Sequence, residues 1–338
     1  MAAMRVGIIG LDGHPMQIWD GIPQLEDVEL VAIACRDRTA VGEKLETPIA
    51  AKASVYADWR EMLDREKPDV VGVCDVPGER PTVLIELAKR NIHIVSEKPL
   101  ATTFEDLHRL RDAVGRSESH LSMLLTMRFE AAYLAMRDAI RVGAIGKVVV
   151  ADAQKSYKLD TGRPDWQKQR AKCGGIIPFI GCHALDLVRW TTGEEFTRVA
   201  GFTSKAGLGP DWHEFEDNAS LALKLSGGGS ATVHLDFLRP MTSDSHGDDR
   251  LRVAGTEGII EATNSDAVKT GTKIVTLVTK SKPPEKLPLP KPGQLFVDFV
   301  TAIRTGTPPR ITAQDAFSIT ELCLHARHAA DTGSVINL

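Results

Sequence analysis

Cysteine is scarce in this 338-residue chain, and its five copies (Cys35, Cys74, Cys173, Cys182, Cys323) are scattered, with no C-x-x-C pair. That excludes a disulfide framework and a cysteine-built zinc site, and it fits free thiols in a reducing compartment. An excess of positive charge is missing too. The formal net charge is −4 and the pI about 6.2, which argues against nucleic acid or an anionic membrane as the main partner. The N-terminus, MAAMRVGIIG, lacks the charged head and long apolar run of a signal peptide, and no later segment reads as apolar enough to span a bilayer. A cytoplasmic location is expected. DWHEFED and SDSHGDD bring His213, Glu214, Asp217, His246 and Asp248 close together in sequence, yet neither has H-E-x-x-H spacing. No metal is expected, and there is no internal repeat.

What the chain does have is a change of rhythm. Up to about Ser122, short apolar runs (RVGIIG, ELVAIAC, DVVGVCDV, HIVSEKP) alternate with amphipathic stretches such as ADWREMLDR and RPTVLIELAKRN. Apolar runs of this length read as buried parallel strands, and their alternation with helices implies a sheet covered on both faces. TTFEDLHRLRDAVG opens with Thr103 three residues before Asp106, a capping box, and closes on Gly115. Later, SLALKLSGGGSATVHLDF alternates apolar and polar residues on either side of a glycine-rich turn, as a hairpin does. Further strands are expected in GKVVVADAQKSY, TRVAGFTSKA, RLRVAGTEGIIEAT and KIVTLVTKS, whereas the Pro- and Lys-rich KSKPPEKLPLPKPG reads as a surface loop. The expected architecture is α/β over residues 1–122, followed by an α+β domain over 123–338 with a large, mostly antiparallel open sheet.

The first apolar run ends in GLDGHP. In the dinucleotide fingerprint G-x-G-x-x-G the first glycine makes the tight turn and the second lets backbone approach the pyrophosphate. Gly10 holds the first position, Asp12 the second and Pro15 the third, with Gly13 as an extra glycine beside them. By itself the turn serves equally well as a plain strand-to-helix connection. Asp12 has three readings: a built-in anion on the following helix, a side chain turned away so that Gly13 takes the phosphate, or a turn that has abandoned dinucleotides. At the end of the second run, where an acid would normally accept the ribose hydroxyls, stand Cys35 and Arg36, with Arg38 close behind. Arg36 and Arg38 suit a ribose 2′-phosphate, which favours NADP(H) over NAD(H); the plainer reading is two solvated arginines.

SEKPLATTFEDL, with Glu97, Lys98 and Pro99 after a strand, resembles the hallmark of the Gfo/Idh/MocA oxidoreductase family. GGIIPFIGCHALDLVRWTTG resembles that family's G-G-x-x-x-D-x-G-x-H-x-x-D segment, and RVAGTEGIIEA and AADTGSVINL resemble its closing strands and tail. The resemblance covers essentially the whole chain. It implies a doubly wound Rossmann domain, a C-terminal sheet domain, an active site in the cleft between them, and a homodimer or homotetramer formed through the sheet. It also implies hydride transfer between NAD(P) and a hydroxyl or carbonyl carbon of a sugar, cyclitol or related small molecule. On the same basis, Lys98 hydrogen-bonds the reacting hydroxyl and the nicotinamide ribose, Glu97 fixes that lysine, and His183 is acid/base at the same oxygen. Asp186 holds the His-bearing helix, Arg128 lies near the nicotinamide, and Pro77 lies beside the cofactor.

The chain departs from the family at Asp12 and Pro15, at Phe179, which stands where the family has a site carboxylate, and in DVPGERPTV, which lacks a histidine. An apolar ring at position 179 suggests a dry site and a less hydroxylated or anionic substrate. The basic run before it (Arg163, Lys168, Arg170, Lys172) could hold a substrate anion, with Arg170 the leading candidate, and Trp166 could pack on a sugar ring; solvated cations and core packing are the alternatives. Two other functions fit the same residues: a catalytically silent ligand-binding protein, and NAD-assisted elimination or glycoside cleavage.

Overall fold

The computed structural model describes residues 3–36, 45, 47–159, 163–207, 210–212, 214–264 and 273–338. Arg38 and His213 lie outside the described residues. By internal contacts the chain divides into two units, Met1–Thr126 with Gln294–Thr320, and Met127–Gly293 with Glu321–Leu338. Residues 294–320, expected to continue the second domain, thus cluster with the first.

In the first unit the described strands are β1 (Met4–Ile9), β2 (Val28–Ala34), β3 (Ser54–Tyr56), β4 (Val70–Val73), β5 (His93–Ser96) and β6 (Leu121–Met123). All neighbours pair in parallel, in the order β3-β2-β1-β4-β5-β6, the doubly wound arrangement of a dinucleotide-binding domain. β4 is buried at every position, which is why it reads as an unbroken apolar run. The capping box is present. Thr103 Oγ1 accepts from the Asp106 amide at 3.1 Å and donates to Asp106 Oδ2 at 2.9 Å, opening the helix Phe104–Gly115.

The second unit holds a sheet in the order β14-β13-β12-β11-β7-β10-β9-β8-β15 among the described residues. Here β7 is Val148–Tyr157, β8 Phe196–Ser204, β9 Asn218–Leu225, β10 Ser230–Asp236, β11 Gly247–Gly255, β12 Gly258–Asn264, β13 Lys273–Thr279, β14 Lys282–Lys286 and β15 Ile336–Asn337. Only β7 and β10 pair in parallel, and the other pairs are antiparallel. The hairpin β9–β10 buries alternate residues, as its sequence pattern requires.

Two sequence expectations are corrected. KPPEK is a strand, not a loop: it pairs with β13 with a register shift and is exposed throughout. An edge strand hydrogen-bonds on one side only, so its prolines are tolerated there. The segment Arg170–Thr192 is, by length and composition, apolar enough to cross a membrane; 89 % of its apolar window is buried inside the fold, as in a core helix.

Candidate active site

In the first unit, the loop after β1 is shaped by Gly10. Its φ is +79°, and a Cβ there would come within 2.6 Å of the Asp75 backbone, so only glycine fits. The Gly13 amide donates to the Cys74 carbonyl at 3.0 Å, and the His14 amide to Glu97 Oε1 at 2.8 Å. His14 Nδ1 lies 2.5 Å from the same oxygen. The anion seated at the start of the helix Met16–Trp19 is therefore Glu97, delivered from the end of β5, while Asp12 is exposed. A Cβ at Gly13 would meet the Glu97 carboxyl at 2.7 Å, which is why a glycine stands there.

Glu97 and Lys98 are buried, 2 % and 7 % exposed, and the Lys98–Pro99 peptide is cis. The Lys98 amide donates to Glu97 Oε2 at 3.0 Å. Burial alone would push the Glu97 carboxyl up. His14, Lys98 and Arg80 outweigh it and hold this group well below the usual carboxylate range. Pro77 is buried in the turn that follows β4. At the start of that turn, burial pushes the Asp75 carboxyl up to about 6; Arg80 opposes the rise, and Asp12 and Glu79 add to it.

Arg36 is exposed, and its Nη1 lies 2.6 Å from Glu79 Oε2. This carboxylate comes from the entry to the helix Arg80–Lys89, 43 residues further along the chain.

In the second unit, His183 is buried at 8 % exposure in the first turn of the helix Cys182–Thr192. A π-helical turn, Ile177–Gly181, precedes it and carries Phe179; such turns recur at functional sites. The Phe179 ring packs on Trp166 at 6.0 Å and on Phe215 and Phe237, each at 6.4 Å between centroids. Trp166 is half-buried at the edge of this aromatic group. Arg128 Nε and Nη2 donate to the two Asp186 oxygens at 2.8 and 2.6 Å, and both side chains are almost wholly buried. Arg128 is thereby tied to the helix that carries His183.

The basic run is not a free anion site. Arg170 lies 3.1 Å from Glu216 and donates to Asp331 at 2.6 and 2.8 Å. Lys168 pairs with Asp165 at 2.8 Å, and Arg163 donates to Gln167 and to the Lys158 carbonyl. Arg163 and Lys168 are thus satisfied by neighbours within five residues, and Arg170 by carboxylates from distant parts of the chain. Among the described residues no group of His, Cys, Asp and Glu is arranged to hold a metal ion.

The description "Oxidoreductase family, NAD-binding Rossmann fold" matches residues 4–124, and "GFO/IDH/MocA C-terminal domain" matches residues 133–261. The chain belongs to the Gfo/Idh/MocA oxidoreductases. It is 28 % identical to the rhizopine catabolism protein MocA of Rhizobium meliloti, over 94 % of this chain and 92 % of that protein. To the D-xylose 1-dehydrogenase (NADP(+)) 2 of Haloferax volcanii it is 25 % identical, over 99 % and 100 %. A solved structure from Thermotoga maritima, described as an oxidoreductase, superposes with a TM-score of 0.91 at 33 % identity, covering 99 % of this chain and 100 % of that one.

A nicotinamide dinucleotide fits this oxidoreductase's first unit in sheet order and in the Gly10 turn. The fit has two constraints: the Gly13 and His14 amides already have protein acceptors, and Arg36 already has an anion. His14, Glu79 and Arg80 had no place in the sequence reading. For Arg80 a signal existed, since a cation in the first residues of a helix opposes the helix dipole and calls for another reason to be there.

Proposed function

We propose that this oxidoreductase prefers NADP(H) and transfers hydride between the nicotinamide and a CH–OH or carbonyl carbon of a sugar, cyclitol or related small molecule. The observation that carries the reading is the buried Glu97-Lys98-Pro99 turn at the end of β5, in a sheet of dinucleotide-binding order. In this reading Gly10, Asp12, Gly13, Arg36, Arg38, Pro77, Glu97, Pro99 and Arg128 belong to the cofactor side. Bound NADP+ supplies the hydride acceptor. A hydride leaves an alcohol carbon only as the hydroxyl proton is taken, so a base is needed at that oxygen. Lys98 and His183 are the two candidates for that base. Glu97 fixes the Lys98 amide, and Arg128 with Asp186 steadies the helix that carries His183. The apolar rings of Phe179 and Trp166, packed on each other, favour a less hydroxylated substrate in this reading. The same reading takes the protein to be a cytoplasmic dimer or tetramer formed through the second unit's sheet, on which Phe202 of β8 is three-quarters exposed.

Titration with NADPH and NADH, followed by reduced-nicotinamide fluorescence, tests the cofactor. Saturable NADPH binding weakened by Arg36→Ala supports the reading, and a strong preference for NADH overturns the NADP part. Lys98→Ala should then abolish turnover in a screen of polyols and sugars. The capture of the Gly13 and His14 amides by protein acceptors favours one second reading, a catalytically silent ligand-binding protein. Its signature is no binding of either dinucleotide.

A further inference from the structure

We propose that Arg80 is a positioning residue that sets the backbone on both sides of Lys98. Its guanidinium is only 2 % exposed. Nη1 donates to the Glu97 carbonyl at 3.2 Å and to the Pro99 carbonyl at 2.5 Å, and Nη2 donates to the Asp75 carbonyl. Nε lies 3.4 Å from Asp75 Oδ1. Lys98 is the residue between the two carbonyls that share Nη1, and its own amide donates to Glu97 Oε2 at 3.0 Å. The Glu97–Lys98 peptide and the Pro99–Leu100 peptide, on either side of the cis Lys98–Pro99 bond, are thus held by the same guanidinium, and the Lys98 amide by the Glu97 carboxylate.

A buried guanidinium is costly unless its donors are satisfied; here both Nη atoms serve backbone carbonyls and Nε faces the Asp75 carboxylate without a hydrogen bond. A fork of fixed donors is suited to locking two carbonyls of a tight turn in one relative orientation, and with them the Cα–Cβ direction of the residue between. The helix Arg80–Lys89 begins at this arginine, so the turn after β4 and the turn after β5 are joined through one side chain. Buttressing the fold is the simpler role for such a group. The positioning role adds a specific claim: loosening Arg80 moves Lys98 before it moves anything else.

The inference rests on the proposed use of Lys98, and its test is chosen to be separable from that reading. The full chain, with its lysines reductively methylated with 13C-formaldehyde, is compared with Arg80→Lys and Arg80→Met. The Lys98 methyl resonance is assigned by its disappearance in Lys98→Arg. The expected result is a shifted or broadened Lys98 resonance in both variants, smaller in Arg80→Lys, with the remaining lysine resonances unchanged. With any polyol or sugar that supports turnover, kcat should fall about 100-fold, the scale of a misplaced reacting group, while KM stays near its wild-type value. An unmoved Lys98 resonance in folded Arg80→Met overturns the proposal. So does loss of folding in both variants, which would assign Arg80 to stability alone. If the wild-type protein binds no dinucleotide, the functional reading fails while the resonance experiment still decides the role of Arg80.

Discussion

Glu79 Oε2 lies 2.6 Å from Arg36 Nη1, so the cation offered to a ribose 2′-phosphate already has an anion beside it. The two residues are 43 positions apart, and both are partly exposed, 74 % and 37 % for their side chains. A phosphate approaching Arg36 must compete with this carboxylate or be repelled by it. Glu79→Gln is expected to tighten NADPH about two- to fivefold, the range of an exposed ion pair, and to leave NADH almost unchanged. Fluorescence titration of both dinucleotides checks it, and an unaltered NADPH-to-NADH ratio would show that Arg36 does not meet the phosphate.

Asp75 provides a stability prediction with a definite sign. Its folded-state pKa of about 6 stands above the 3.8 of an ordinary aspartate. In that interval the folded state binds the extra proton, so the contribution of Asp75 to stability is fully present below pH 4 and is lost as pH rises through 6. Asp75→Asn should remove this decline. Urea unfolding is expected to show the variant more stable by about 2–3 kcal/mol at pH 7.5 and equal to wild type at pH 4. Equal stabilities at both pH values would mean that Arg80 compensates the buried charge fully.

The Arg128–Asp186 pair predicts an asymmetry between single and double substitution. Removing one partner strands the other charge where both side chains are almost wholly buried. Asp186→Leu should therefore cost about 3–5 kcal/mol, and Arg128→Met with Asp186→Leu should recover much of that loss. Denaturant midpoints of the two variants and the wild type make the comparison.

The Phe179 ring packs on three aromatic neighbours. Phe179→Ala is expected to cost about 3 kcal/mol or more through the cavity it leaves. Phe179→Asp should cost more still, because the new charge would be buried against rings without a partner. Thermal unfolding of both variants measures the order. A stable Phe179→Asp would show that the group opens to water.

Much of the framework was legible because it depends on near neighbours in the chain. The unbroken apolar run Val70–Val73 is a central parallel strand, the Thr103–Asp106 box opens a helix, and alternation in 218–236 gives a hairpin of half-buried strands. The Glu97-Lys98-Pro99 and His183 segments were legible by resemblance to a family. KPPEK was misread because proline forbids a central strand but not an edge one. The aggregate charge of the 163–172 run suggested an anion site, and only the fold brought Glu216 and Asp331 to Arg170.

Local pattern by itself determined the order of strands and helices, the two sheet types and the positions of the glycine turn and the motif lysine. Hydrophobic period, capping and backbone freedom all act within a few residues. The tertiary structure alone decided which charge meets which: Glu97 with the His14 amide, Glu79 with Arg36, Arg80 with the carbonyls around Lys98, Asp186 with Arg128. Coulomb and hydrogen-bond energies depend on separation in space, and a chain that folds back on itself brings together groups whose distance in sequence carries no information about that separation.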